Sequence, residues 1–290
     1  MAERKVELES RIESMSELEE IFGAMRGIAA ARVQQGATTL LAVRSFASTV
    51  YGALDRILTL RSSSARGEEK DRLATRVVVV FTTEHGFVGG LNDTILREAA
   101  RAPGPNEMFF LGTRGWTTAA ELGLRATSIG PMSIHIAGIG EVADRTVDVL
   151  LRRFTKGTIG TIDVISARRM PTGQVMVERR SILPVQADPG PATALALEVL
   201  PPIANVPRDV LLPHLVEEYL YAQLVEIAAE SLVAENAARL AVLESAHEHL
   251  DDMLDSLRHA DHRLRQDEIT AEVLELVAGR SPSQATRMLP

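Results

Sequence analysis

Cysteine is absent from the 290 residues, which excludes disulfides, thiol nucleophiles, thiolate zinc sites and iron–sulfur clusters together. Aromatic side chains make up only 4%, too few for the stacking platforms that hold single-stranded nucleic acid. Basic residues are outnumbered, and a formal charge of −8 opposes general binding to a phosphate backbone, which needs a basic face to displace counterions. No run of 18 apolar residues occurs, and Met1 to Lys5 leads into a charged segment rather than an apolar leader, so a soluble, cytosolic chain is expected. The motifs G-x-S-x-G and H-E-x-x-H and the kinase set are also missing, and carboxylates scattered on helix surfaces do not form a desolvated acid/base pair. No catalytic residue, cofactor or metal ion is expected.

The apolar content, 46% against 24% charged residues, excludes wholesale disorder. It comes mostly from Ala, Leu, Val and Ile, which suit helix seams and small α/β cores. Length predicts about two folding units.

Residues 3–60 lack proline and carry Leu8, Ile12, Met15, Leu18, Phe22, Met25, Ala29 and Val33 at alternating three and four spacing. The pattern continues through Leu40, Val43, Ala47, Val50, Leu54 and Ile57, and it defines a coiled-coil seam. Near the other end, Leu243, Leu250, Leu257 and Leu264 recur every seven residues, with Leu240 and Leu254 at the companion position and His247 and Asp261 interrupting it. Between Pro213 and Gly279 there is neither Gly nor Pro, so one helix of about 98 Å is expected, stopped at Gly279. Five arginines face sixteen acidic residues over 207–279, a balance of −11 that leaves the remainder at +3.

The middle changes period. Arg76 to Thr82 is a short β-branched run typical of a strand buried on both faces. A turn at 84–90, a helix over 91–100, a strand over 108–111 and a helix over 113–122 follow. Ile134 to Gly138 is poorly patterned. A helix over 141–154 and two strands, 162–166 and 174–183, joined through Pro171-Thr172-Gly173, complete a βαβ-type domain. Pro184 to Pro207 reads as a linker. The expected fold class is therefore α/β, a long antiparallel coiled coil of N- and C-terminal helices with an inserted Rossmann-like βαβ domain. Its parts are 1–60 (N-terminal helix), 75–190 (α/β domain), 205–279 (C-terminal helix) and 280–290 (tail). Each exposed heptad seam needs a partner, and each helix supplies one for the other.

Local features carry rival readings. Gly86 to Asn92 follows the first strand and opens a helix, where a phosphate is held in other proteins, but its spacing matches neither phosphate-binding glycine motif and a tight strand-to-helix turn needs the same glycines. His259 and His262 with Asp255 lie on one helical face, a weak metal-ligand spacing without a fourth ligand. His247 at a seam position reads as a polar residue that fixes register. Gly23 and Gly27, among alanines, read either as a close helix approach or as a kink.

Three motifs in order carry a resemblance over nearly the whole chain. Arg11-Ile12-x-Ser14 with Ala24-Met25-Arg26 and Ala29 to Arg32 opens it. Thr82 to Asn92, T-T-E-H-G-F-V-G-G-L-N, follows the first strand. The closing helix carries Ala234-Glu235…Ala238-Arg239-Leu240 and Arg265-Gln266…Ile269-Thr270-x-Glu272…Glu275-x-Val277-x-Gly279. Together these resemble the gamma subunit, or central stalk, of F-type ATP synthases. The resemblance implies a rotating asymmetric shaft standing in a pseudo-threefold ring of alpha and beta subunits. It also implies an epsilon-like subunit and a membrane c-ring as partners, with no nucleic acid. The expected place is peripheral, on the cytoplasmic face of a bacterial plasma membrane, coupling proton or sodium flow to ATP synthesis or hydrolysis. By the family pattern Met25, Arg265, Gln266 and Thr270 meet the ring, Arg265 through a partner carboxylate. The rival reading balances Arg265 against Asp261 and Glu268 of its own helix. Departures are Glu20-Ile21-Phe22 in place of the family's K-I-T, about four extra residues between Leu220-Tyr221 and Glu230-Ser231, the acidic balance, and the lack of the thiol pair of the plastid form. They suggest a divergent or second-copy form. A homodimeric coiled-coil scaffold is the alternative reading.

Overall fold

The computed structural model describes residues 2–59, 75–103, 106–185 and 206–278. Helix α1 (Ala2–Thr59) and helix α5 (Arg208–Ala278) flank the remaining elements in sequence. Between them come β1 (Thr75–Phe81), α2 (Leu91–Ala100), β2 (Asn106–Leu111), α3 (Thr113–Glu121), β3 (Ser128–Gly130), a 3₁₀ turn (Ile136–Gly138), α4 (Ile139–Thr155), β4 (Ile159–Arg169) and β5 (Val175–Leu183). The chain divides into two compact units, one of residues 28–242 and one of residues 1–27 with 243–290.

In the larger unit the five strands run in the order β3-β2-β1-β4-β5. All pairs are parallel except β4 with β5, which form the expected terminal hairpin. The β-branched run of β1 makes it the central strand, and its side chains alternate between two cores. Val77, Val79 and Phe81 face a core built with α4 (Val142, Val147, Leu150), α1 (Leu40, Ala47, Val50, Leu54) and α5 (Leu220, Leu224, Ile227). Val78 and Val80 face a second core built with α2 (Ile95, Leu96, Ala99), Ala119 of α3 and Ala234 of α5. The stretch 219–236 of α5 is buried at almost every position, as an apolar helix held on more than one side must be.

Within this unit α1 and α5 run antiparallel. Gly36 lies against Val233, Arg44 pairs with Glu226 and Glu230, and the Ile57 carbonyl accepts from Arg208. A Cβ on Gly36 would stand 2.4 Å from Val233 Cγ2. The seam expected from Leu40 to Leu54 is the buried one.

Two points differ from the sequence reading here. Gly23 and Gly27 have nothing within 4 Å of the place a Cβ would take, so of the two readings offered there the close approach does not occur. Gly36 makes it instead. A strand absent from the sequence reading, β3, pairs with β2 over only three residues, too few to leave a periodic signature. Helix α5 begins at Arg208 and carries Pro213 inside it. The amides of Val210 and Leu211 both donate to the Pro207 carbonyl, so the first turn is closed before the proline, whose missing N–H then costs one bond without ending the helix. Most of the expected linker, 186–205, and the expected stop at Gly279 lie outside the described residues.

Candidate subunit-contact surface

In the smaller unit, α1 and α5 again pair antiparallel, and here polar contacts set the register. Lys5 Nζ donates to Glu268 Oε2 at 3.0 Å. Arg265 stands 3.6 Å from Glu9 and 3.0 Å from Asp261. The predicted pairing of Arg265 with Asp261 is therefore present, but Glu268 is bound to Lys5 and the second partner of Arg265 is Glu9 on α1. Asp261 is buried, and its Oδ1 has no hydrogen-bond partner, so the Arg265 guanidinium is the cation nearest a costly buried charge. Earlier in α5 Leu243, Leu250 and Leu254 are buried, as the heptad predicts.

The α1 seam departs from expectation at one layer. Leu18 is 39% exposed, and Glu19 takes the half-buried position beside it. The reason is chemical: Glu19 faces His247 and Asp251, whose donor atoms lie within 4.8 Å of its carboxylate. His247 thus occupies a polar seam position as expected. The proposed trio of Asp255, His259 and His262 is not assembled in that way. All three are exposed, Asp255 lies 3.5 Å from Arg258, and the His259 carbonyl accepts from Arg263 Nε.

The four residues assigned to partner contact fall in this smaller unit. Gln266 and Thr270 are exposed, the Thr270 hydroxyl donating to the Gln266 carbonyl at 2.8 Å. Arg265 is half exposed and Met25 half-buried. From Ile269 to Ala278 every residue of α5 is exposed, including Ile269 at 61%, Leu274 at 63% and Leu276 at 72%. Among the described residues nothing covers these leucines and valines, which together form an exposed apolar surface.

In the larger unit the glycine turn is held by contacts within the chain. Phe87 and Gly89 take left-handed backbone, with φ of 59 and 57°, and Val88 is buried beneath them. Asn92 returns to the start of the turn: its side-chain amide donates to Thr83 Oγ1 at 2.8 Å, and its carbonyl oxygen accepts from the Thr83 amide at 3.2 Å. From α5, Arg239 donates through Nε to the Gly86 carbonyl at 3.1 Å and through Nη2 to the Glu235 carboxylate at 2.6 Å. Two of the motifs that carried the resemblance are thus one interaction, a buried Glu235–Arg239 pair clamping the turn after β1. Near it Glu84 accepts from the Thr113 amide and hydroxyl, at 3.1 and 2.7 Å, and from the Met132 amide at 2.9 Å. A carboxylate therefore caps α3 at the carboxyl end of the parallel strands, where an open α/β sheet otherwise offers helix amides to an anion.

Sequence reasoning missed a second buried ionic group. Glu230, 1% exposed at its side chain, accepts from Arg44 at 2.6 Å and from Arg180 of β5, which also binds Glu178. Burial, followed by the charge of Glu230, raises the neighbouring Glu226 carboxyl above its ordinary value, against the pull of Arg180 and Arg44. Two glutamates four residues apart in an otherwise apolar stretch were the available signal.

A family model described as ATP synthase matches residues 5–282. The chain belongs to the ATP synthase family. Within the family it takes the place of the gamma chain, the central-stalk subunit. It is 22% identical to the ATP synthase gamma chain of Bdellovibrio bacteriovorus, over 94% of this chain and 96% of that one. With the gamma chain of Desulforudis audaxviator it is 26% identical, over 93% and 95%. The fold matches a chain in the rotor of the Euglena gracilis mitochondrial ATP synthase with a TM-score of 0.62 at 12% identity, over 93% of this chain and all of that one. It also matches one in the central stalk and c-ring of the Tetrahymena thermophila enzyme, with a TM-score of 0.57 at 19% identity, over 78% and 99%. Among the described residues of this family member no helix is long and apolar enough to cross a membrane.

Proposed function

We propose that this chain turns as the shaft of its ATP synthase, with residues 1–60 and 205–279 as the rotating helix pair and 75–190 as the domain that joins it to the rest of the rotor. The observation that carries this reading is the surface of the smaller unit. Its two helices satisfy each other through buried leucines and ion pairs, yet α5 leaves Gln266, Thr270, Ile269, Leu274 and Leu276 uncovered. Alpha and beta subunits are the partners of that surface, and an epsilon-like subunit and the membrane c-ring are the partners of the inserted domain. The chain contributes no catalytic group: the chemistry belongs to the ring. An asymmetric shaft alters each ring site only by making different contact free energy with its open and closed states. Moving one site from mostly open to mostly closed takes about 5.5 kcal/mol of such difference. Met25, Arg265, Gln266 and Thr270 are the residues we assign to it. In this reading the chain sits peripherally at the cytoplasmic face of a bacterial membrane, and the choice of proton or sodium ion rests with other subunits.

The homodimeric scaffold is the weaker reading because Leu243, Leu250 and Leu254 are already buried within one chain. Co-expression with the alpha and beta subunits of the same genome tests the proposal. A stable complex with stimulated ATPase is expected, and Arg265→Ala with Gln266→Ala should lower both its yield and its turnover. A chain that stays outside the complex, or that sediments as a concentration-dependent homodimer, overturns it.

A further inference from the structure

The layer of Glu19, His247 and Asp251 in the smaller unit has more donor capacity than its own contacts use. The donor atoms of the three side chains lie within 4.8 Å of one another. His247 Nε2 is 3.8 Å from Asp251 Oδ2, beyond hydrogen-bond range, and His247 Nδ1 is buried without a partner. Two carboxylates and an imidazole that converge in this way offer acceptor lone pairs for which no lysine or arginine among the described residues stands as a partner. On α5, His247 and Asp251 are four residues apart, so both project from one helical face, and Glu19 comes from α1 to complete a third corner.

We propose that these three residues bind a divalent transition-metal ion that bridges α1 and α5. One nitrogen and two carboxylate oxygens form a donor set for zinc, cobalt or nickel rather than for magnesium or calcium, which take all-oxygen shells. Three protein ligands with a water in the fourth position satisfy tetrahedral zinc. Ligand distances near 2.0 to 2.2 Å put neighbouring donors about 3.4 Å apart, so the site closes by about 1 Å through rotation of Glu19 and the exposed Asp251. The ion would tie together the seam layer in which an expected leucine, Leu18, gives way to a charged neighbour, Glu19. Because α1 and α5 bring the donors together only when paired, binding stabilises the folded pair by mass action. The inference concerns this chain alone and stands whether or not the shaft proposal does.

The test uses the full chain stripped of metal with a chelator. Titration with Zn²⁺ in a calorimeter should show one saturable site, and Co²⁺ should give the intense visible absorption of a four- or five-coordinate ion. Asp251→Asn and Glu19→Gln, which keep shape at half-buried or exposed positions, should each weaken Zn²⁺ binding at least tenfold while the helical circular dichroism stays unchanged. His247→Gln should abolish the Co²⁺ bands. A double His259→Ala, His262→Ala variant should bind as the parent does. Absence of saturable binding overturns the proposal, as does binding that survives all three substitutions or that disappears with His259 and His262.

Discussion

Gly36 and Val233 are in such close contact that a Cβ at position 36 would meet Val233 Cγ2 at 2.4 Å, so Val233 must shift to admit any larger residue. Gly36→Ala should therefore destabilise the chain by about 1–3 kcal/mol through overpacking, and Val233→Ala in the same chain should recover most of that loss. Gly23→Ala and Gly27→Ala, in helix with open space around them, should each stabilise by about 0.5–1 kcal/mol. Urea unfolding of the isolated chain checks all four. A Gly36→Ala variant as stable as the parent contradicts the packing described.

Arg239 is the residue on which the turn after β1 depends. Its replacement by Met removes the bonds to Gly86 and Glu235 and leaves a buried carboxylate without its cation, which should cost about 3–5 kcal/mol. Glu235→Gln combined with Arg239→Met should be less damaging than Arg239→Met alone, because the uncompensated charge goes with it. Equal losses in the single and double variants would show that the charge of Glu235 is not the penalty.

Alkaline pH offers an independent handle on the larger unit. Burial, with a smaller contribution from Tyr51, pushes the Tyr219 phenol up to about 12 from its ordinary 10. The folded chain thus keeps a proton that the unfolded chain loses, so this contribution is complete below pH 10 and fades as pH rises toward 12. Its full size is about 3 kcal/mol. Thermal melting against pH should show that decline, and Tyr219→Phe should flatten it. An unchanged profile in the variant assigns alkaline unfolding elsewhere.

Arg265 is held by Asp261 and Glu9 within the chain, and the proposal has the same side chain meet a partner carboxylate. Asp261→Asn separates the two roles. It removes a buried charge and loosens Arg265, so assembly with alpha and beta subunits should be maintained or strengthened. Arg265→Ala should weaken assembly and also destabilise the isolated chain, by about 1–3 kcal/mol, as it strands Asp261. Pull-down yield and melting temperature, read together, decide this. Loss of assembly in Asp261→Asn would make the Asp261–Arg265 pair itself the requirement.

The sequence revealed elements where composition and period agreed and hid them where a partner decides. Four consecutive valines announced β1, and α2 occupies its expected span of residues 91–100. Ser128-Ile129-Gly130 announced nothing, because a three-residue edge strand is defined by β2 beside it. The choice between Leu18 and Glu19 at the seam was invisible for the same reason: a repeat alternating three and four tolerates either, and His247 on the other helix selects Glu19. Motif matching located Glu235 and Arg239 but not their task, since the turn they clamp lies about 150 residues away in sequence. The Arg44–Glu230–Arg180 group joins three elements distant in the chain, and spacing within one helix cannot express that.

Rotation tests the central claim most directly. With the alpha/beta ring fixed to a surface and a bead attached to this chain, ATP should drive the bead in one direction, in three equal steps per turn. An assembled, ATP-hydrolysing complex whose bead does not rotate would contradict the account of this chain as a shaft.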